Sequence, residues 1–595
     1  MGLTVLAPDD RAVLLDLLRP PADMKLDVAV ATTFTLDLEA ALVAPLAFAA
    51  FDAAGPGDPI AALEAIRSVA NRLTVFCQAG ETRVPQAASD LFAFLEPIVH
   101  EVRRPRAGHL FHPKVWLLRY RSEDESEAIR LLVPTRNLTN DASWDAVLRL
   151  DGTPDGGPLA SNRPLADLVR WCTSHAVRDL EGARLVAIES LVESVRRTRW
   201  EFPDGVNEIE FHVLGVAGKH LPDFSGRRQL VISPFVNTEG LDIVAPSDQV
   251  IVVSRPDELE LLPSETVDTL DCRWITSIDL DHADASASPL GDLHAKVVVV
   301  ERARRAHLFV GSANATGAAF GGNIEILIEL AGGATALGID AVLSDLGKVL
   351  EPCDITGGRQ PSEADELQRA LDDLMRDAAL ASLEIRVTAE EAATWHLHVT
   401  STEPLLPPGF VGRGTVELLS RPGFAIDVPV GRAISDHYSR VPLADLTPFL
   451  VLRVELEGPT QSVSAAAVVR AFLVNDPAGR LDAVIARQVD SPTKFLRFLF
   501  LLLGLQGGGT PPWFQTSSGA TGATDSQTVL NLIELGVFEA LTRALATNPT
   551  ALDDLGRLVD RLRTTAEGRN TLPDGFDELW DAVTAAQETL AKLKR

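Results

Sequence analysis

At 595 residues, 46% hydrophobic and 23% charged, the chain is long enough for about three to five domains with sizeable cores. Its 83 acidic against 54 basic residues leave a net charge of −29, which argues against a protein that coats nucleic acid nonspecifically but leaves room for a basic cleft in an acidic body. It has no run of 18 apolar residues, no basic leader with a cleavage site, and four scattered cysteines (Cys77, Cys172, Cys272, Cys353), so we expect no membrane span, no export, no disulfide framework, no cysteine zinc site and a cytoplasmic location.

In chain order, 28–34 and 73–78 are short apolar runs that predict buried strands. Arg103, Arg104 and Arg106 then lead into Phe111-His112-Pro113-Lys114-Val115, a His-x-Lys that opens an apolar strand. A second apolar strand delivers Pro134-Thr135-Arg136-Asn137, and after a loop Asp145 opens a third. The series then returns. Apolar runs at 230–235 and 250–254 precede Leu293-His294-Ala295-Lys296-Val297, a strand ending in Gly311-Ser312-Ala313-Asn314, and Glu325 opening a third run. The two His lie 182 residues apart and the two Asn 177. A repeat of so long a period reads as a duplicated domain, with halves at 1–205 and 206–355.

Beyond the repeat, alternating segments at 384–399, 413–419, 424–430 and 449–457 predict a small β-sandwich or barrel over 365–478. His396 and His398 share one face there, without a third ligand in view, so no metal is expected. A helical domain is expected over 479–595, with helix at 480–505, a Gly-rich loop at 506–524 and Leu-rich helices after 527. Phe498 to Leu503 reads as buried helix, and the tail as a module for docking.

The paired motifs resemble the phospholipase D superfamily, in which His-x-Lys is followed by Gly-Ser-x-Asn and an acid. The resemblance covers residues 25–335. It is intact in the second half, whereas in the first Pro134 and Thr135 replace Gly and Ser, and Arg119 and Glu301 stand where the superfamily places an Asp seven residues after each His. It implies an α/β fold of two pseudo-symmetric halves that share one phosphodiesterase site working without metal or other cofactor. One neutral imidazole, from His112 or His294, attacks phosphorus and forms a phosphohistidine, while the other, protonated, serves the leaving oxygen. Lys114, Lys296, Asn137 and Asn314 would stabilise charge on the phosphoryl oxygens, Asp145 and Glu325 would each fix a His tautomer, and Ser312 of the intact second motif is a further catalytic candidate. Arg103, Arg104, Arg106, Thr135 and Arg136 are candidates for guiding a phosphate backbone. The expected substrate is nucleic acid, DNA before RNA, with no membrane role. By analogy with nuclease-like members, the expected partner is a helicase or another protein of bacterial genome defence or repair. The alternatives are a phospholipid-cleaving enzyme and a catalytically weak nucleic-acid-binding scaffold.

Overall fold

The computed structural model describes residues 14–48, 66–502 and 537–593, with short breaks at 88, 141–142, 217, 219–220, 276–291, 348, 391–393, 548, 565 and 574. The Gly-rich loop expected at 506–524 lies outside the described residues.

Two mixed sheets dominate an α/β architecture. The first runs, in spatial order, Thr198–Trp200, Val147–Pro154, Glu127–Pro134, Val115–Ser122, Met24–Thr33, Leu73–Gln78, Val99–Val102. The second runs Val206–Leu214, Glu325–Gly333, Arg305–Gly311, Val297–Arg302, Arg228–Ile232, Val250–Val253, Asp271–Ile275, Leu350–Pro352. From Val147–Pro154 onward in one sheet and Glu325–Gly333 onward in the other, six successive strands correspond in order. In both, the His-x-Lys strand is antiparallel to the first apolar strand of its half.

Period-2 alternation sends side chains to opposite faces, and both faces are covered, which explains the near-continuous apolar runs. Val28, Val30, Val115 and Leu117 of the first sheet share one core with Val297, Val299, Ile326 and Ile328 of the second, together with Leu165, Leu168 and Leu191 from the helices Arg163–His175 and Gly182–Arg197. The alternate residues Trp116, Leu118 and Tyr120 face a different core on the outer side of the first sheet. Trp116 is therefore packed inside.

That outer core is completed by the C-terminal helices. Phe495 and Phe498 of Pro492–Leu502, Val559 of Pro549–Arg563 and Trp580 of Phe576–Leu593 pack into it with Trp116 and Tyr120. Each such side chain contributes about 1.5–3 kcal/mol on burial, so these helices stabilise the first sheet directly. Arg480 reinforces the junction by pairing with Glu96 at 2.6 Å. No helix among the described residues is long and apolar enough to cross a membrane.

The β region beyond residue 380 contains a four-stranded and a six-stranded sheet that share a core, including Ile385, Leu397, Val416 and Leu452. The apolar alternation at 384–399 divides into strands Leu383–Ala389 and Thr394–Ser401. The six-stranded sheet recruits Leu36–Asp37 and Thr82–Arg83 from the first half, so sheet and core both continue across the expected boundary. The helix Glu363–Leu380 precedes this region and opens with a capping box of Ser362 and Asp365.

Candidate active site

Each His-x-Lys enters its strand by way of the other half. Phe111 bridges Ile324, and the His112 amide donates to the Ile324 carbonyl at 3.0 Å. Correspondingly, Leu293 pairs with Trp144, and the His294 amide donates to the Trp144 carbonyl at 2.8 Å. In both cases the partner immediately precedes the other half's acid, Glu325 or Asp145. Glu325 thereby reaches across to His112 of the other half, whereas among the described residues no hydrogen bond joins Asp145 to His294 Nδ1, so the expected tautomer-fixing pair forms at the first His alone.

The consequence is visible at His112. Its Nδ1 lies 3.0 Å from Glu325 Oε2 across 213 residues of chain. Glu325, fully buried, also accepts from Ser312 Oγ at 2.5 Å and from Asn323 Nδ2 at 3.1 Å. Asn323 is anchored in turn, its Oδ1 accepting the Leu110 amide at 2.9 Å. Lys114 Nζ stands 2.9 Å from His112 Nε2 and 3.1 Å from the His112 carbonyl. Lys296 Nζ donates to the His294 carbonyl at 2.8 Å and, across the halves, to the Thr135 carbonyl at 3.2 Å. Phe34 closes one side of the imidazole edge-on, with ring centroids 5.1 Å apart.

Electrostatics fix the protonation at His112. Burial pushes its pKa down to about 4, with the neighbouring lysines acting in the same sense and the Glu325 carboxylate opposing them. Lys114 is held well below the usual lysine range, by burial first and by Lys296 second. His112 is thus a neutral imidazole at neutral pH. A carboxylate on Nδ1 keeps the proton there and leaves the Nε2 lone pair toward Lys114.

The departures in the first motif leave its backbone geometry intact. The Ser312 amide donates to the Ile326 carbonyl at 2.8 Å, and the Thr135 amide does the same to Ala146 at 2.8 Å. Both hydroxyls accept the facing amide, at 3.0 Å for Ser312 and 2.9 Å for Thr135. They differ in donation: Ser312 gives its proton to Glu325, whereas Thr135 gives its proton to the Ala146 carbonyl at 3.1 Å. The side-chain oxygens of Asn137 and Asn314, one from each half, are both buried without a hydrogen-bond partner.

The candidate phosphate-guiding arginines divide. Arg104 is committed to Asp373 and Asp377 on the helix Glu363–Leu380, at 3.1 and 2.5 Å, and does not reach the His pair. Arg103 and Arg106 are exposed, and Arg106 reaches the Gly321 carbonyl at 2.9 Å, two residues ahead of Asn323. Arg136 turns back onto the Thr139 carbonyl at 2.6 Å. Where an Asp is absent after each His, Arg119 is buried against Asp27 at 2.6 Å and Glu301 accepts the Ile339 amide at 2.9 Å, so both are structural. Sequence reasoning missed Asn323 and Phe34, which carry no motif of their own. It also missed His437, which stacks on His396 with centroids 4.7 Å apart.

No family model and no curated protein matches this chain. Among solved structures it is similar to the crystal structure of polyphosphate kinase from Porphyromonas gingivalis, at 12% identity and a TM-score of 0.29, over 61% of this chain and 50% of that one. The chain thus spans about half the length of the kinase it matches, and no residue's role is taken from so loose a likeness.

Proposed function

We propose that the chain is a metal-independent phosphodiesterase acting on nucleic acid, DNA before RNA, through a phosphohistidine. The observation that carries this reading is the His112 environment: a neutral imidazole, its Nδ1 on a buried carboxylate, its Nε2 beside the buried amino group of Lys114. Because a phosphodiester is anionic, its nonbridging oxygens would draw Lys114 off Nε2 and free that lone pair for in-line attack. His294, the imidazole of the second motif, would then protonate the leaving oxygen and later deprotonate water. The amides of Asn137 and Asn314 leave a buried polar atom unspent on each half. Turned by 180°, each would present its NH2 to a phosphoryl oxygen.

Nucleic acid is favoured over lipid by the exposed Arg106, which lies against the loop that carries Asn323. The net charge of −29 suits a substrate delivered as an exposed strand by a partner such as a helicase. The test is turnover of bis(p-nitrophenyl) phosphate in EDTA, followed by competition between single-stranded DNA, double-stranded DNA, RNA and phosphatidylcholine vesicles. Turnover that His112→Asn removes and DNA inhibits best supports the reading. No turnover points to a scaffold, and preferential cleavage of the lipid overturns the substrate assignment.

A further inference from the structure

On the outer edge of the second sheet, three neighbouring strands bring together polar groups that the proposed chemistry does not use. Glu210 and His212 lie two apart on Val206–Leu214 and therefore on one face. Glu329 of Glu325–Gly333 sits directly opposite Glu210 in the antiparallel ladder, and His212 is its diagonal neighbour. From the third strand, Arg305–Gly311, comes His307. His212 Nε2 is 2.8 Å from Glu329 Oε2, and His307 Nδ1 is 2.6 Å from Glu329 Oε1. One ligand atom each from Glu210, His212 and Glu329 lies within 4.8 Å of the others.

Two features point beyond an ordinary surface ion pair. Carboxylates placed directly opposite on paired strands repel one another, so a Glu210–Glu329 pair is a poor choice unless a cation sits between them. The cluster is also backed by the fully buried Phe309, whose ring lies 6.2 Å from that of His212, and His212, His307 and Glu329 are only 12–14% exposed in their side chains. An apolar backing and a His holding the second oxygen of a carboxylate ligand are features of metal centres on rigid scaffolds.

We propose that Glu210, His212 and Glu329 bind one divalent first-row transition-metal ion, of the zinc or manganese class. His307 orients Glu329 through its free oxygen, and water completes the coordination. One imidazole and two carboxylates form a mixed N/O set suited to such ions, and closure needs only small rotamer adjustments to reach about 2.0–2.2 Å. Because the three ligands span only two strands and His307 ties in the third, the ion would clip the sheet that also carries Glu325 at the start of the same strand.

The test uses the full chain, stripped with EDTA, dialysed and titrated calorimetrically with zinc alone and with manganese alone. We expect one equivalent of at least one ion to bind, with affinity about 10–100-fold weaker in Glu210→Gln and in His307→Ala. Binding unchanged in Glu210→Gln would overturn the proposal, since Glu210 is exposed and its loss leaves the fold intact. Equally fatal would be no binding of either ion, or binding lost in His437→Ala instead. Phosphodiesterase turnover in EDTA is read separately, so failure of the metal site and failure of the proposed function are distinguishable.

Discussion

Replacing Glu325 with Gln keeps the volume and removes the charge, and the hydrogen bonds around this side chain set the outcome. Glu325 Oε2 accepts from His112 and Ser312 while Oε1 accepts from Asn323 Nδ2. An amide cannot satisfy all three. If its oxygen takes the Oε2 place, its NH2 opposes Asn323 Nδ2, donor against donor. Asn323 resists flipping because its own oxygen holds the Leu110 amide. If the amide is reversed, its NH2 faces His112 Nδ1, which must become an acceptor, moving the ring proton to Nε2 and abolishing the attacking lone pair. Either way one buried charge-assisted hydrogen bond is lost, about 1.5–3 kcal/mol of stability. With the amide reversed the tautomer change should lower kcat by about 10²–10⁴, and with it unreversed the loss of the carboxylate charge beside Nδ1 still removes stabilisation of the positive charge that develops on the attacking ring, so kcat falls in both cases. Urea unfolding monitored by circular dichroism gives the first quantity, and steady-state turnover of bis(p-nitrophenyl) phosphate by the folded variant gives the second. A kcat within about threefold of wild type would refute the assignment of His112 as a tautomer-fixed participant, because 1.4 kcal/mol already corresponds to a tenfold rate change.

The same contacts predict further outcomes. Asn323→Ala should lower kcat more than it raises KM, since it loosens Glu325 without touching substrate, and Asn323→Asp should not rescue it; equal changes in both constants would mean a binding role. His112 has a folded pKa of about 4, below the unfolded value of about 6.5. Its contribution is therefore fully present above pH 6.5 and lost as pH falls toward 4, to about 3 kcal/mol. His112→Asn should accordingly flatten the acid side of the stability profile, though not completely, because burial also pushes His100 down to about 3 and it acts in the same sense. A chain ending at residue 478 should aggregate, since Phe495, Phe498 and Trp580 cover the outer face of the first sheet; a soluble, cooperative monomer on size exclusion and calorimetry would contradict that packing.

Much of the site was legible because it is written twice. The spacing of His112, Lys114 and Asn137, repeated at His294, Lys296 and Asn314, identifies the strands and the residues at their ends, and each strand lies where its apolar run indicated. What could not be read is which half serves which. Glu325 reaches His112 because Phe111 bridges Ile324, a tertiary pairing to which local periodicity is blind. Arg104 looks like a phosphate ligand beside its neighbours, yet its partners are acids 269 and 273 residues away. The strand Ser435–Pro442 escaped notice because only Tyr438 and Val441 are buried in it, too few for an alternating pattern. Likewise the amphipathic stripes of the C-terminal helices show that they cover something apolar without naming the first sheet as their partner.

The central claim is that the two His motifs form a single site with a covalent intermediate. The most direct measurement is rapid quenching of the wild-type chain with a labelled phosphodiester, and then mapping of the base-stable phosphoryl adduct by mass spectrometry. This is combined with turnover by His112→Asn and His294→Asn. The account predicts at most one adduct per chain, on His112 or His294 but not both, and loss of turnover by orders of magnitude in each variant. Two adducts per chain with about half the activity left in each variant would mean two independent sites, and full activity in His112→Asn would remove the first motif from the chemistry altogether.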